Sequence, residues 1–378
     1  MRALAEACVG DVVRLLCGAG EALAETYGAE VKSGAAQFLR VPDDEQQMNR
    51  LFFERGWSDG LPIVAPTRER VEAMLACTKR APDEVIANIA PGFGAATVER
   101  IAVNAVMAGC YPEYLPVLIG AAEAVSTREF NLSGVQATTN PVAVWLIING
   151  PMANQLGVNG GANCLGPGAW ANATLGRALR LILQNVGGGR PGEMDRATHG
   201  QPGKYTFCCA ENEAMNPWTP LHVERGFDVS ASTVTVVAPL GTWNMNTHAK
   251  DADDLIRVMG DTMAFPVSSD YVHGGAPWLL LAPEHAQILS NAGLGKPDVK
   301  RRLWDASKLA ASRLAARDLG RVQTARAAEL GAITAETMLP ISVAPDDVNF
   351  IVAGGEGTHS VYIPVSGYSF SVTREIRG

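Results

Sequence analysis

The chain has 378 residues, 47% of them hydrophobic and 19% charged, with 31 basic against 39 acidic residues and a net charge of −8. No basic cluster interrupts that acidic balance, which excludes nucleic acid as the main partner, and the apolar run 142–148 is far too short to span a bilayer. The length suits two domains or one large one, and so low a charged fraction predicts that part of the surface is covered in a homo-oligomer.

Seven cysteines, an odd number without disulfide spacing, predict a reducing, cytoplasmic setting. Acidic residues within the first apolar stretch exclude a signal peptide. Residues 1–31 read as an amphipathic helix carrying Leu15, Leu16, Ala22 and Leu23, followed by a short strand at 29–31. They form an N-terminal helical extension, 1–43.

A helix over about 44–55 ends at Gly56. Trp57, Asp59 and the Asp59-Gly60 turn lead into a short strand at 61–64, and Thr67 caps the next helix. Helices at 97–109 and 112–125 flank Cys110. Pro112 suits the first position of the second helix and Glu113 its first turn. A thiol there sits near a helix N-terminus, where its pKa falls, so Cys110 is the candidate nucleophile, redox thiol or soft ligand. The alternative is an inert buried cysteine. Glu113 either opposes ionisation of the thiol by like charge or takes its proton.

Thr139 and Asn140 precede a buried strand over 142–148, which Asn149-Gly150-Pro151 closes. A glycine- and asparagine-rich loop, 157–168, then feeds a long helix over about 169–186, stopped by three glycines. The loop lacks both the Walker A and the Rossmann glycine spacing. Its backbone and Asn154, Asn159, Asn163 and Asn172 suit an anion or a polar ligand, with local backbone satisfaction as the plainer alternative. Arg177, in the middle of an apolar helix, needs a carboxylate or an anionic ligand as partner. The glycine-rich stretch 187–203 reads as an exposed loop or linker between a helix-rich α/β domain, 44–203, and a second α/β domain, 204–378.

In that second domain 204–210, 232–237 and 278–282 read as strands, Pro283 opens a helix, and 348–353 and 361–372 are late strands. If the first strand continues, Cys209, Glu211 and Glu213 share a face. With Trp218 and His222 nearby in sequence, that face suits an acid–base pair or a metal site. The six histidines lack zinc spacing and no Cys-x-x-Cys occurs, so any metal would come from residues distant in sequence. No Gly-x-Ser-x-Gly elbow supports a serine nucleophile. Strands and helices alternate, which predicts an α/β or α+β fold, a mixed sheet with packed helices.

Several stretches together resemble a bacterial family associated with the UGSC proteins, named for a selenocysteine- or cysteine-Gly-Ser-Cys motif. They are Gly56-Trp-Ser-Asp-Gly-Leu-Pro62, Asn104-Ala-Val-Met-Ala-Gly-Cys-Tyr-Pro-Glu-Tyr114, the helical stretch 176–181, Pro217-Trp-Thr-Pro-Leu-His222 and Pro283-Glu-His285. The chain departs from the family's motif: its nearest match is Cys17-Gly-Ala-Gly20, without the second cysteine. The resemblance implies a large soluble subunit whose chemistry is linked to thiols or selenols, with a separate small redox protein as a possible partner.

Three functions follow as expectations. The first is an enzyme acting on a small organic molecule by thiol-assisted redox or bond cleavage. Its catalytic groups would be Cys110, Glu113, Glu211 and His222, and Trp57, Asp59, Thr139, Asn140, Asn159, Asn163 and Arg177 would contact substrate. The second is a carboxylate-based hydrolase or lyase with an amide-lined oxyanion site, and the third a noncatalytic scaffold for a small redox protein.

Overall fold

Five consecutive buried residues, Trp145–Asn149, form an inner strand of a four-stranded sheet. Its order is Val372–Glu375, Thr233–Val237, Trp145–Asn149, Cys208–Ala210. The last pair is parallel and the other two are antiparallel. A second four-stranded sheet has the order Asn349–Val352, Trp278–Leu281, His359–Ile363, Trp243–Asn246, again with one parallel pair at an edge. The computed structural model on which this description rests describes residues 39–266 and 269–377. The described residues from Pro42 onward belong to one compact unit. The helix and strand expected within 1–31, with Cys8 and Cys17, lie outside the described residues.

Side-chain alternation sorts each strand between two cores. On one face of the first sheet Leu146, Ile148, Cys208, Ala210, Val234 and Val236 join the core of the helices Val98–Ala108, Leu115–Val125 and Trp170–Asn185. On its other face Trp145, Ile147, Cys209 and Val237 meet Trp278, Leu280, Ile351 and Ile363 of the second sheet. The far face of the second sheet, with Leu279, Leu281, Phe350 and Tyr362, packs on the helices Ala252–Met263 and Lys296–Ala306. The result is four layers: helices, sheet, sheet, helices. Mixed sheets with packed helices are the predicted fold class.

Both sheets follow one plan. Parallel neighbours need a crossover, and each connection is helical: Pro151–Gln155 and Trp170–Asn185 in the first, and Pro283–Asn291, Lys296–Ala306, Ala316–Ala325 and Ala327–Leu330 in the second. Each plan begins on a tryptophan, and the rings of Trp145 and Trp278 meet edge to face at 5.7 Å. The ladder of each parallel pair runs one residue past its strand, as Glu211 N–H to Ile148 C=O (3.2 Å) and Ala353 N–H to Leu281 C=O (3.0 Å). Asn149 and Ala282 are therefore equivalent positions, as are Glu211 and Ala353.

Three expectations need correction. The boundary at 203/204 falls inside the first sheet, because Cys208–Ala210 pairs with Trp145–Asn149. Residues 61–64 are not a strand: Pro62 has no N–H to give, and the carbonyls of Leu61 and Pro62 accept from Arg177. The run 361–372 is two strands in different sheets, since His359–Ile363 stops at Pro364 and Val372–Glu375 joins the first sheet. The antiparallel pair Val85–Ile89 and Gly94–Thr97 and the helix Leu132–Ala137 were not foreseen.

Candidate acid–base site

The first sheet ends in polar residues. Asn149, last in its strand, shares the parity of Trp145 and Ile147, so its side chain lies on the face toward the second sheet. Its Nδ2 donates to Glu211 Oε2 at 2.6 Å and to Glu213 Oε1 at 2.9 Å. One amide thus gathers two carboxylates. Gly150 N–H donates a further bond to Glu213 Oε1, at 2.8 Å. This residue is glycine by necessity: its φ is +82°, and a Cβ would lie 2.1 Å from the Ala231 carbonyl oxygen.

Glu211 is 4% exposed. It also accepts from Leu221 N–H at 2.8 Å and Asn216 Nδ2 at 2.8 Å. Burial pushes its pKa up, against the pull of the Lys296 charge and those hydrogen bonds. Glu213 keeps about a third of its side chain exposed and forms the side of the site that meets solvent. His222, fully buried on the short helix Leu221–Glu224, places Nδ1 3.6 Å from Glu213 Oε1. Its Nε2 faces the Val229 carbonyl at 3.4 Å, a contact to which the ring can only donate. Nδ1, Asn149 Oδ1 and Thr233 Oγ1 are buried without a protein hydrogen-bond partner among the described residues. Asn149 and Thr233 pair directly across neighbouring strands. Buried polar atoms are usually satisfied, so these three orphans set this strand end apart.

The structure brings Glu211 and His222 together and adds Glu213, Asn149 and Thr233. Asn149 was read from the sequence only as a strand terminator. A polar residue ending a wholly apolar strand was the available signal.

Cys110 and Glu113 lie elsewhere. The helix Val98–Ala108 closes on Gly109, in the left-handed conformation, and Cys110 turns into the core on the helix side of the first sheet. Glu211, bonded to Asn149, belongs to the opposite face. Burial pushes the Cys110 thiol up to about 12, against the helping Thr174 hydroxyl and Arg177 charge. The buried setting thus works against the activated thiol expected at Cys110. Glu113 is exposed on the turn Pro112–Tyr114.

The expected substrate contacts are occupied by the protein. Arg177 forms a two-pronged pair with Asp59, Nε to Oδ2 at 2.8 Å and Nη2 to Oδ1 at 2.9 Å. Trp57 packs edge to face on Phe52 beneath Arg55. Asn140 bonds Thr138, and the Thr139 carbonyl accepts from Thr198. In the loop 157–168, Asn159 bonds Gly161 N–H and the Ala162 carbonyl, Asn163 bonds the Pro167 carbonyl, and Asn172 ties Asn159 to Cys164. These amides hold the loop's own backbone. The loop also crosses to both sheets, through Ala210 N–H to the Asn159 carbonyl and Gly354 N–H to the Gly160 carbonyl.

A histidine–hydroxyl pair in the second sheet's region, His285 Nδ1 to Ser360 Oγ at 2.8 Å, has both members fully buried and is a satisfied core contact. Among the described residues no group of three or more His, Cys, Asp or Glu is arranged to hold a metal ion, and no helix is long and apolar enough to cross a membrane. Comparison with protein-family models, curated proteins and solved structures gives no match to this chain.

Proposed function

We propose that the chain is an enzyme that moves protons on a small polar organic molecule, a hydrolase or lyase working through carboxylates and a histidine. The observation that carries this reading is the gathering of Glu211 and Glu213 on Asn149, beside the unpartnered Nδ1 of His222. Nδ1 takes the proton, and Glu213 stabilises the imidazolium that forms. Glu211 accepts from Asn149 Nδ2 and so positions that amide, and the imidazolium formed at His222 returns the proton to the leaving group. The unpartnered Asn149 Oδ1 and Thr233 Oγ1 orient a polar substrate group. A panel of small esters, amides and hydroxy acids, assayed with the wild type, His222→Asn and Glu213→Gln, tests this. Loss of about a hundredfold or more in kcat in both variants is expected, and turnover that survives unchanged in both defeats the reading.

A second reading keeps thiol chemistry but moves it from Cys110. Cys164, in the asparagine-rich loop, lies against Cys209, and the neighbouring thiol draws its pKa below the usual thiol value. A small thiol or selenol redox protein, the partner implied by the UGSC resemblance, would act on this pair. Mass spectrometry after mild hydroperoxide treatment tests it, with a Cys164–Cys209 disulfide as the expected product. The homo-oligomer belongs to the same proposal. It is supported by the low charge content and by the stacked, exposed rings of Tyr111 and Trp170, and a monomeric mass by light scattering would count against it.

A further inference from the structure

The helix Trp170–Asn185 carries a second arginine, Arg180, three residues after Arg177. Its environment is different. Arg177 is matched by Asp59, whereas Arg180 shares one buried carboxylate, Asp195, with Lys204. Arg180 Nη2 lies 3.3 Å from Asp195 Oδ2, and Lys204 Nζ lies 2.6 Å from the same oxygen and 2.8 Å from Oδ1. Asp195 Oδ1 also accepts from Ala197 N–H, and Arg180 gives a further bond to the Gly189 carbonyl.

The local charges therefore do not cancel. Arg177, Arg180 and Lys204 face Asp59 and Asp195, three cations to two carboxylates, and only a little of each cation is exposed. An uncompensated charge is costly at such depth. Burial lowers the pKa of both Arg180 and Lys204, the direction expected where a positive charge lacks a full counter-charge.

Arg180, Asp195 and Lys204 border a cavity with about 20 Å³ of space for water-sized bodies. Its other walls are Gln136 and a set of apolar residues including Val142, Val144 and Leu179, and Gly176 and Gly203 present bare backbone to it. A Cβ at Gly203 would strike the Phe207 ring at 2.7 Å. The polar floor thus holds two cations and one carboxylate, a net positive charge against largely apolar walls.

We propose that this cavity binds a small monovalent anion, a halide or the carboxylate head of a short organic acid, between Arg180 and Lys204. It is a separate site from the acid–base cluster. Ala143 lines the cavity just before the strand Trp145–Asn149, at the opposite end from Asn149, and the four steps of that strand at about 3.3 Å each hold the two sites roughly 13 Å or more apart. The inference does not depend on the proposed reaction.

Thermal unfolding of the full chain tests it, with sodium chloride or sodium formate replacing sodium sulfate at constant ionic strength. A saturable rise in Tm is expected in the wild type, retained in Lys204→Arg. In Lys204→Gln, where one cation and one carboxylate remain, the anion concentration at half-effect should rise about tenfold or more. Formate acting at lower concentration than chloride identifies an organic acid as the ligand class; the reverse order identifies a halide. If Lys204→Gln does not fold, Val144→Phe replaces it, blocking the cavity while leaving each charge in place. A wild type without a saturable response, or a Lys204→Gln or Val144→Phe chain that responds as the wild type does, overturns the proposal.

Discussion

Where the first sheet ends in Asn149 and Glu211, the second carries Ala282 and Ala353, although the two parallel pairs are joined by equivalent hydrogen bonds. The backbone plan is the same and the chemistry is not. In the second sheet, the buried strand end continues the apolar layer between the sheets, where Ala353 packs with Trp278 and Ile351. In the first, two carboxylates are drawn toward the same layer and need Asn149, Gly150, Asn216 and Leu221 to hold them. Polar groups at that depth are retained at a cost in stability, and such costs cluster at working sites.

Making the second sheet resemble the first gives the largest expected effect. Ala353→Glu buries a carboxylate without the Asn149 and Leu221 donors and should destabilise the fold by about 4 kcal/mol in urea unfolding; a cost under about 1 kcal/mol would mean that the two ends are not different environments. The converse, Asn149→Ala, removes two hydrogen bonds to carboxylates and should cost about 3 kcal/mol by the same measurement. Glu213→Gln separates function from support. Because Glu213 is partly exposed, its stability change should stay within about 1 kcal/mol, while kcat on any substrate found falls about a hundredfold, or about 2.7 kcal/mol in barrier.

Cys110→Ser lies outside the comparison and calibrates it. Replacing a buried thiol by a hydroxyl should cost about 1 kcal/mol and leave kcat unchanged, and a large loss of kcat would return the thiol to the mechanism. The smallest effect is a slope in pH. The folded-state pKa of Glu211 is raised, so the native state binds more protons there than the unfolded chain. Its contribution to stability is whole below the ordinary value of 4.5 and declines as pH rises toward the folded value. Urea midpoints across that window should fall more steeply for the wild type than for Glu211→Gln, and parallel profiles would show that Glu211 is not desolvated.

Much of the layering was legible in the sequence. Trp145–Asn149 and Trp278–Leu281 are short, largely apolar runs and Thr233–Val237 is β-branched throughout, which together with bounding turns favours buried strands, and Thr67 and Gly109 mark helix ends where they were expected. The division into domains was not legible, because strand order in a sheet is a matter of distant pairing and 187–203 has the composition of a linker. Glu211 and His222 were found through strand alternation and nearness in sequence. Asn149 and Thr233 were missed because the residues that complete the site lie 62 positions before Glu211 and on another strand. The depth of Cys110 was not legible, because its neighbours suggest a helix start while its burial depends on the sheet and helix packed over it.

The strand Val372–Glu375 completes the first sheet by pairing with Thr233–Val237, after the whole second sheet has intervened in the chain. The preceding turn is anchored just as remotely, through Phe370 N–H to the Glu129 carbonyl and Ser369 Oγ to the Phe130 carbonyl. On the ribosome this has a temporal meaning. Residues up to Val237 emerge with an open sheet edge, which stays unpaired until more than a hundred further residues have been translated. Val236, Val234 and their neighbours then depend on late closure across a large loop, a slow, high-contact-order step, and a nascent chain stalled before Val372 would present that edge to chaperones or to other stalled chains.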